Sequence, residues 1–254
     1  MKQKHSIFST ILLLILLLSI GAVIYLGWQE LKNELSIYNM EKELENYISD
    51  PSDDNPKKKK HSDGYGFDWD GLLNTNKDVV GWIRFDEPSV INYPIVQGTS
   101  NQFYLKHDWK KRYQNAGSIF LHKENSSEFT DQNSIIYGHR MISGRMFGSL
   151  KRFSSQSYMN KNKYFYIYTP DGKKRTYEIF AYAQVVDGTD IYTTKFETRE
   201  ERNEYYEKIL KRAVTKRSVE LDEFDTTATL STCARYGYYN RMVLVGKLIS
   251  VEVK

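Results

Sequence analysis

The stretch Arg175-Thr176-Tyr177-Glu178-Ile179-Phe180-Ala181-Tyr182-Ala183-Gln184-Val185-Val186 decides the fold class. Tyr177, Ile179, Ala181, Ala183 and Val185 alternate onto one face, while Thr176, Glu178 and Gln184 share the other with Phe180 and Tyr182. A period of two is that of a half-buried strand. Pro170-Asp171-Gly172 supplies turn chemistry just before it, so the segment pairs as a hairpin with 164–169. Outward from this hairpin, apolar residues keep arriving in short runs rich in β-branched and aromatic types. Strands are expected at 79–85, 90–96, 117–121, 133–138, 164–169, 175–186, 226–232 and 242–251. A mainly β chain with about eight strands and no internal repeat suggests a single barrel. Two helices interrupt it. Asp70 caps a short one at 71–75. Thr198 and Glu201 form a capping box that opens a longer one to about Val214, between the sixth and seventh strands. Tyr205, Tyr206, Ile209, Leu210, Ala213 and Val214 give that helix one apolar face.

The 254 residues are 40% hydrophobic and 27% charged, a globular balance that excludes a fibrous repeat or a wholly disordered chain. Formal net charge is only +4, and the one basic run, Lys57 to Lys60, lies in a polar segment. A nucleic-acid partner, which calls for concentrated positive charge with interleaved aromatics, is therefore not expected.

No charged residue occurs from Ser6 to Gln29, and the apolar run 7–27 is long enough to cross a membrane as a helix. It exceeds the apolar core of a signal peptide, about 7–15 residues, and lacks an A-x-A-like exit, so a retained anchor is expected. Lys2 and Lys4 precede it, which leaves the N-terminus in the cytoplasm and the rest outside. The expected organisation is a cytoplasmic 1–6, an anchor at 7–27, a stalk and linker at 28–66 and a catalytic domain at 67–254. Within the linker, 49–66 carries two prolines and clustered charges, the composition of a solvated spacer.

Cys233 is the sole cysteine, so neither an intramolecular disulfide nor a thiolate-rich metal site is available. Ending the strand Thr229-Leu230-Ser231-Thr232-Cys233, its thiol is either core filler or a nucleophile. A nucleophilic thiol needs a cationic or basic neighbour to become a thiolate. Of five histidines, His5 is cytoplasmic, His61 lies in the linker, and His107 and His122 read as surface residues. His139 ends the strand Ser134-Ile135-Ile136-Tyr137-Gly138 and is either a structural rim residue or a general acid/base. Arg241 opens the last strand eight residues after Cys233; its donor fork suits an oxyanion, and the alternative is a surface ion pair.

From about Trp69 to Val251 the chain resembles the class B sortases, Gram-positive membrane-anchored cysteine transpeptidases. The resemblance rests on Val80-Gly81-Trp82-Ile83, Ile91-Asn92-Tyr93-Pro94-Ile95-Val96-Gln97-Gly98, Gly117-Ser118-Ile119-Phe120-Leu121, Ile136-Tyr137-Gly138-His139 and Met146-Phe147-Gly148. Thr229-Leu230-Ser231-Thr232-Cys233 with Arg241 downstream completes it. It implies an eight-stranded sortase barrel with Cys233 as nucleophile, His139 as general acid/base and Arg241 as stabiliser of substrate and oxyanion. It further implies that Asn101, Leu105, Tyr205, Tyr206 and Ser231 line the sorting-signal groove. Members often carry an acidic or polar residue directly after the cysteine, where this chain has Ala234, and no Asp or Glu occurs between Cys233 and Arg241. The expected reaction cleaves an NPxTx-like C-terminal pentapeptide of a secreted protein after threonine and transfers it to a peptidoglycan precursor or cross-bridge amine. Hydrolysis by water and pilin polymerisation are the alternative outcomes of the same chemistry. No metal or organic cofactor is expected, because thiolate, imidazole and guanidinium cover all three roles.

Overall fold

The decisive segment folds as Lys173–Val186 (β6), a 14-residue strand matched by an equally long C-terminal one, Asn240–Val253 (β9). Around them stand Val79–Phe85 (β1), Asn92–Val96 (β2), Ile119–Leu121 (β3), Asn133–His139 (β4), Tyr164–Tyr168 (β5), Ala213–Lys216 (β7) and Thr227–Cys233 (β8). The computed structural model describes residues 2–49, 65–86, 89–186, 192–222, 224–233 and 240–254, with backbone alone for 2–6, 186, 233 and 240. The expected linker with its four lysines thus falls largely outside the described residues, as does the connection 234–239 that contains Ala234.

The strand order β5-β1-β2-β3-β4-β8-β9-β6 closes on itself because β6 also pairs with β5, giving an eight-stranded barrel. Pairing is antiparallel except for β2 with β3 and β4 with β8. The expected hairpin is present: Gly172 donates its N–H to the Thr169 carbonyl and adopts a φ of 75°, which glycine tolerates. Inside the barrel Phe85 stacks on Phe165 and Phe165 on Tyr177, with centroids 5.4 and 4.9 Å apart.

Two helix boundaries differ from expectation. The helix expected to reach Val214 is Arg199–Lys211, and Ala213–Lys216 instead forms β7, a ninth strand appended to β6. Val214 and Thr215 are β-branched and fit a pleated chain better than a last helical turn. Thr215 donates to the Phe153 carbonyl at 2.5 Å, and the Gln156 carboxamide bonds both the N–H and C=O of Lys216. The short helix is Trp69–Thr75, and its cap is Asp68, not Asp70, through a carboxylate that accepts from Gly71 N at 2.9 Å. A third short helix, Gln156–Lys161, carries too few turns to show a periodicity. In chain order the helices are Lys2–Leu44 (α1), Trp69–Thr75 (α2), Gln156–Lys161 (α3) and Arg199–Lys211 (α4).

The chain divides into two compact units, 1–40 and 41–254. The first is helical, with a stretch from Ile7 long and apolar enough to cross a membrane. The second starts well before residue 67. Ile48 bridges Phe67, Ser49 N donates to Gly66 O at 2.7 Å, and Tyr47 meets the Trp109 ring edge-on at 5.2 Å. An aromatic side chain and a backbone pairing hold this stretch onto the barrel, although its many charges read as stalk.

Helix α4 lies across the outer face of β6, β8 and β9. Tyr205, Tyr206 and Ile209 join Ala181, Ala183, Val185, Val243 and Val245 in one buried cluster. Here β8 alternates Ala228 and Leu230 with Thr227, Thr229 and Ser231, and all five are buried. The hydroxyl face is satisfied from Asn133, which accepts from Thr227 and Thr229 at 3.2 and 2.9 Å and donates to the Tyr205 hydroxyl at 2.9 Å. Tyr206 bonds Thr227 at 3.0 Å. Both rings are therefore core. Tyr205→Ala and Tyr206→Ala, each read as a thermal melt of the full chain, should cost about 3 kcal/mol or more and lower Tm by several degrees.

Candidate active site

The site is built by strand register. Because β4 and β8 run parallel, their C-terminal ends reach the same rim, and His139 pairs with Cys233 as the last step of a seven-residue ladder. Strand β9 runs back antiparallel to β8 with Ser231 opposite Val243, so Arg241, at the start of β9, lies toward the same rim, where its charge acts on His139. His139 stands at the rim end of this three-strand floor, with Tyr137 and its register partner Ser231 one step below. The structure thus brings together the three residues that the sequence singled out.

Gly138 explains how His139 reaches its place. A Cβ there would lie 2.6 Å from Ile119 Cδ1 and from the Phe147 ring, so only glycine lets those side chains close under the strand end. His139 Nε2 bonds the Leu105 carbonyl at 2.9 Å. Leu105 itself lies in the turn Phe103–Leu105, which Gly117 admits: with φ of 57°, a Cβ there would collide with the Tyr104 and Leu105 backbone. Burial lowers the His139 pKa below its usual 6.5; the Leu105 carbonyl works against that shift and the positive charge of Arg241 adds to it. The imidazole is accordingly neutral at pH 7, able to accept a proton.

The other expected site residues fall in different settings. Ser231 is buried and hydrogen-bonded to the Tyr192 hydroxyl at 3.1 Å. Leu105 is half-buried and meets the site through its backbone oxygen. Asn101 accepts a hydrogen bond from Lys123 N at 2.8 Å on the loop between β3 and β4. Tyr205 and Tyr206 are buried below the rim, on the same face as Ser231, and support it from behind. His107 stacks on Phe103 at 4.0 Å and His122 accepts from Glu124 N; neither joins the rim. Reading the sequence missed the Leu105 carbonyl, Asn133 and Tyr192. Only Gly117 signalled the first, and nothing local signalled the others, because their partners lie 34, 96 and 39 residues away. Among the described residues no three His, Cys, Asp or Glu side chains gather as a metal site would require.

A closed barrel whose rim sets a thiol-bearing strand end against an imidazole and a guanidinium defines a class, the sortases. A model of the sortase domain matches residues 85–249, and the chain belongs to this family of cysteine transpeptidases. Its relatives place it among the class B sortases. A Listeria monocytogenes protein named sortase B is 34% identical over 183 residues, covering 70% of this chain and 73% of its own. The structure of a Staphylococcus aureus sortase B–substrate complex is 28% identical, with a TM-score of 0.68 over 76% of this chain and 88% of that one. A Streptococcus pyogenes class B sortase involved in pilus biogenesis is 31% identical, with a TM-score of 0.65 over 71% of this chain and 97% of that one.

Arg241 and burial both depress the His139 pKa, so the sign of a charge deletion is fixed. Arg241→Gln should raise the His139 midpoint toward 6.5, read from the imidazole proton shift in an NMR titration.

Proposed function

We propose that this chain is a membrane-anchored sorting enzyme that cleaves an NPxTx-like pentapeptide after threonine and transfers the protein to a peptidoglycan amine. The observation that carries this reading is the register pairing of His139 with Cys233. The neutral His139 takes the proton of the Cys233 thiol, the thiolate so formed attacks the threonine carbonyl, and Arg241 donates hydrogen bonds to the oxyanion that forms. As the C–N bond breaks, His139 hands a proton to the leaving amine, and the acyl group stays on sulfur as a thioester. An incoming amine gives its proton to His139, attacks the thioester and leaves Cys233 as thiolate. Asn101, Leu105 and Ser231 line the peptide groove, with Ser231 forming its floor below the rim. Tyr205 and Tyr206 shape the groove from below. Lys2 and Lys4 ahead of the apolar helix orient the chain with its N-terminus inside and the barrel outside.

Support for a peptide substrate comes from the similarity to a sortase B solved with substrate. Similarity to a class B sortase involved in pilus biogenesis supports a second reading, in which the acceptor is a lysine of another protein. Incubating the full chain in detergent micelles with a panel of sorting peptides, and with or without oligoglycine or a lysine-bearing protein, separates the outcomes. Transfer to the glycine amine fits the first reading and transfer to lysine the second, whereas hydrolysis alone under every condition overturns both.

Cys233→Ala should abolish cleavage and transfer while the thermal melt stays close to wild type, since no second thiol is available. Arg241→Lys keeps the charge but loses the fork, and kcat/KM should fall about 100-fold or more.

A further inference from the structure

Both loops that hold His139 are tied to the same short piece of chain, Glu41 to Glu43. On one side, Glu41 accepts from the Tyr93 hydroxyl at 2.5 Å and from Arg145 Nε at 2.9 Å. The Tyr93 oxygen, buried on β2, accepts in turn from Met146 N at 3.2 Å. Arg145 and Met146 belong to the turn that begins at His139, where Arg140 bridges Met146 and Phe147 N donates to His139 O at 2.9 Å. Met146 holds a φ of 51° in that turn, a conformation that a side-chain-bearing residue keeps only when its surroundings impose it. On the other side, Glu43 receives Lys110 Nζ at 2.5 Å and Arg112 Nη2 at 2.9 Å. Those two cations lie on the loop whose Leu105 carbonyl bonds the His139 ring.

Two carboxylates two positions apart at the end of α1 therefore fasten the backbone side and the ring side of the same imidazole. Both are only 30% exposed, so water competes with these bonds less than on an open surface. Pairs of this kind contribute little to global stability. Their geometric effect lies in the link itself: each one joins the helix end to a loop that touches His139, and the loop of Leu105 is further tied by Lys111 to Asp78 and by the Trp109 carbonyl to Asn76.

We propose that Glu41 and Glu43 are positioning residues for the transpeptidase reaction, clamping the two loops that hold His139 in line with Cys233. The idea rests on His139 as the acid/base group. With the clamp lost, the barrel stays folded but the imidazole loosens, gains water and departs from its alignment.

The test uses the full chain in detergent micelles as Glu41→Gln, Glu43→Gln and the double variant. Four quantities are read: kcat and KM for a sorting peptide, the thermal midpoint, and the His139 titration midpoint by NMR, with His139→Gln assigning the resonance. In the double variant kcat should fall about tenfold to a hundredfold with KM within about twofold, since misplacement of a catalytic group acts on the chemical step. The titration midpoint should rise toward 6.5 as burial is lost. Unchanged kcat and titration midpoint, or a loss of activity that only follows a lowered thermal midpoint, overturns the proposal. If a glutamate variant fails to fold, Arg145→Gln with Arg112→Gln breaks the same bonds from the loop side and is held to the same outcomes. A wild-type chain that cleaves no sorting peptide counts against the functional reading, and the titration arm still decides the clamp.

Discussion

The parallel pairing of β4 with β8 is the constraint on which the site depends. In an antiparallel pair the two C-terminal ends would lie at opposite rims, and an imidazole on one strand could not face a thiol-bearing end of the other. Running them parallel, in a ladder that ends on His139 and Cys233, sets both at one rim. The antiparallel return through β9 then brings Arg241 to the same place from the opposite chain direction. Backbone pairing alone carries these three residues to one rim, before any side-chain contact is made.

Keeping that floor rigid requires an answer to a polar problem. The outer face of β8 carries hydroxyls that α4 removes from water, and a buried hydroxyl without a partner is costly. Asn133 at the start of β4 answers for two of them, and the phenols of Tyr192, Tyr205 and Tyr206 complete the set. A satisfied network of this kind fixes one arrangement of helix on sheet. The apolar packing of Ile209 against Val243 and Val245 supplies affinity without direction. The stack rising from Asn133 to Ser231 therefore ends one step below the cysteine with little freedom to shift.

Charge is arranged differently at the rim. His139 is half-buried with the charge of Arg241 nearby, so its positive form is disfavoured. On the proposed reading Arg241 serves as the fixed cation, while His139 moves protons. That division needs no carboxylate next to the cysteine, in keeping with Ala234 at that position and with the absence of Asp or Glu before Arg241.

The sequence by itself determined the eight barrel strands, the barrel class and the apolar helix at the N-terminus, and it singled out His139, Cys233 and Arg241, because each is carried by a local signal. Alternation in 175–186, glycine before His139, and a sole thiol at a strand end are all legible within a few residues. Boundaries that depend on neighbours were not. The last turn of α4 gave way to β7 because Phe153, Gln156 and β6 bond Thr215 and the backbone of Lys216, while Val214 stays exposed. Tyr205 and Tyr206, which the resemblance assigns to the groove, are buried, and only the fold brings Asn133 and β8 beneath them. Tertiary structure alone decided the Leu105 carbonyl against His139 and the carboxylates of Glu41 and Glu43 against two distant loops. Those contacts join residues 34 to 104 positions apart, and no local pattern encodes a partner at that range.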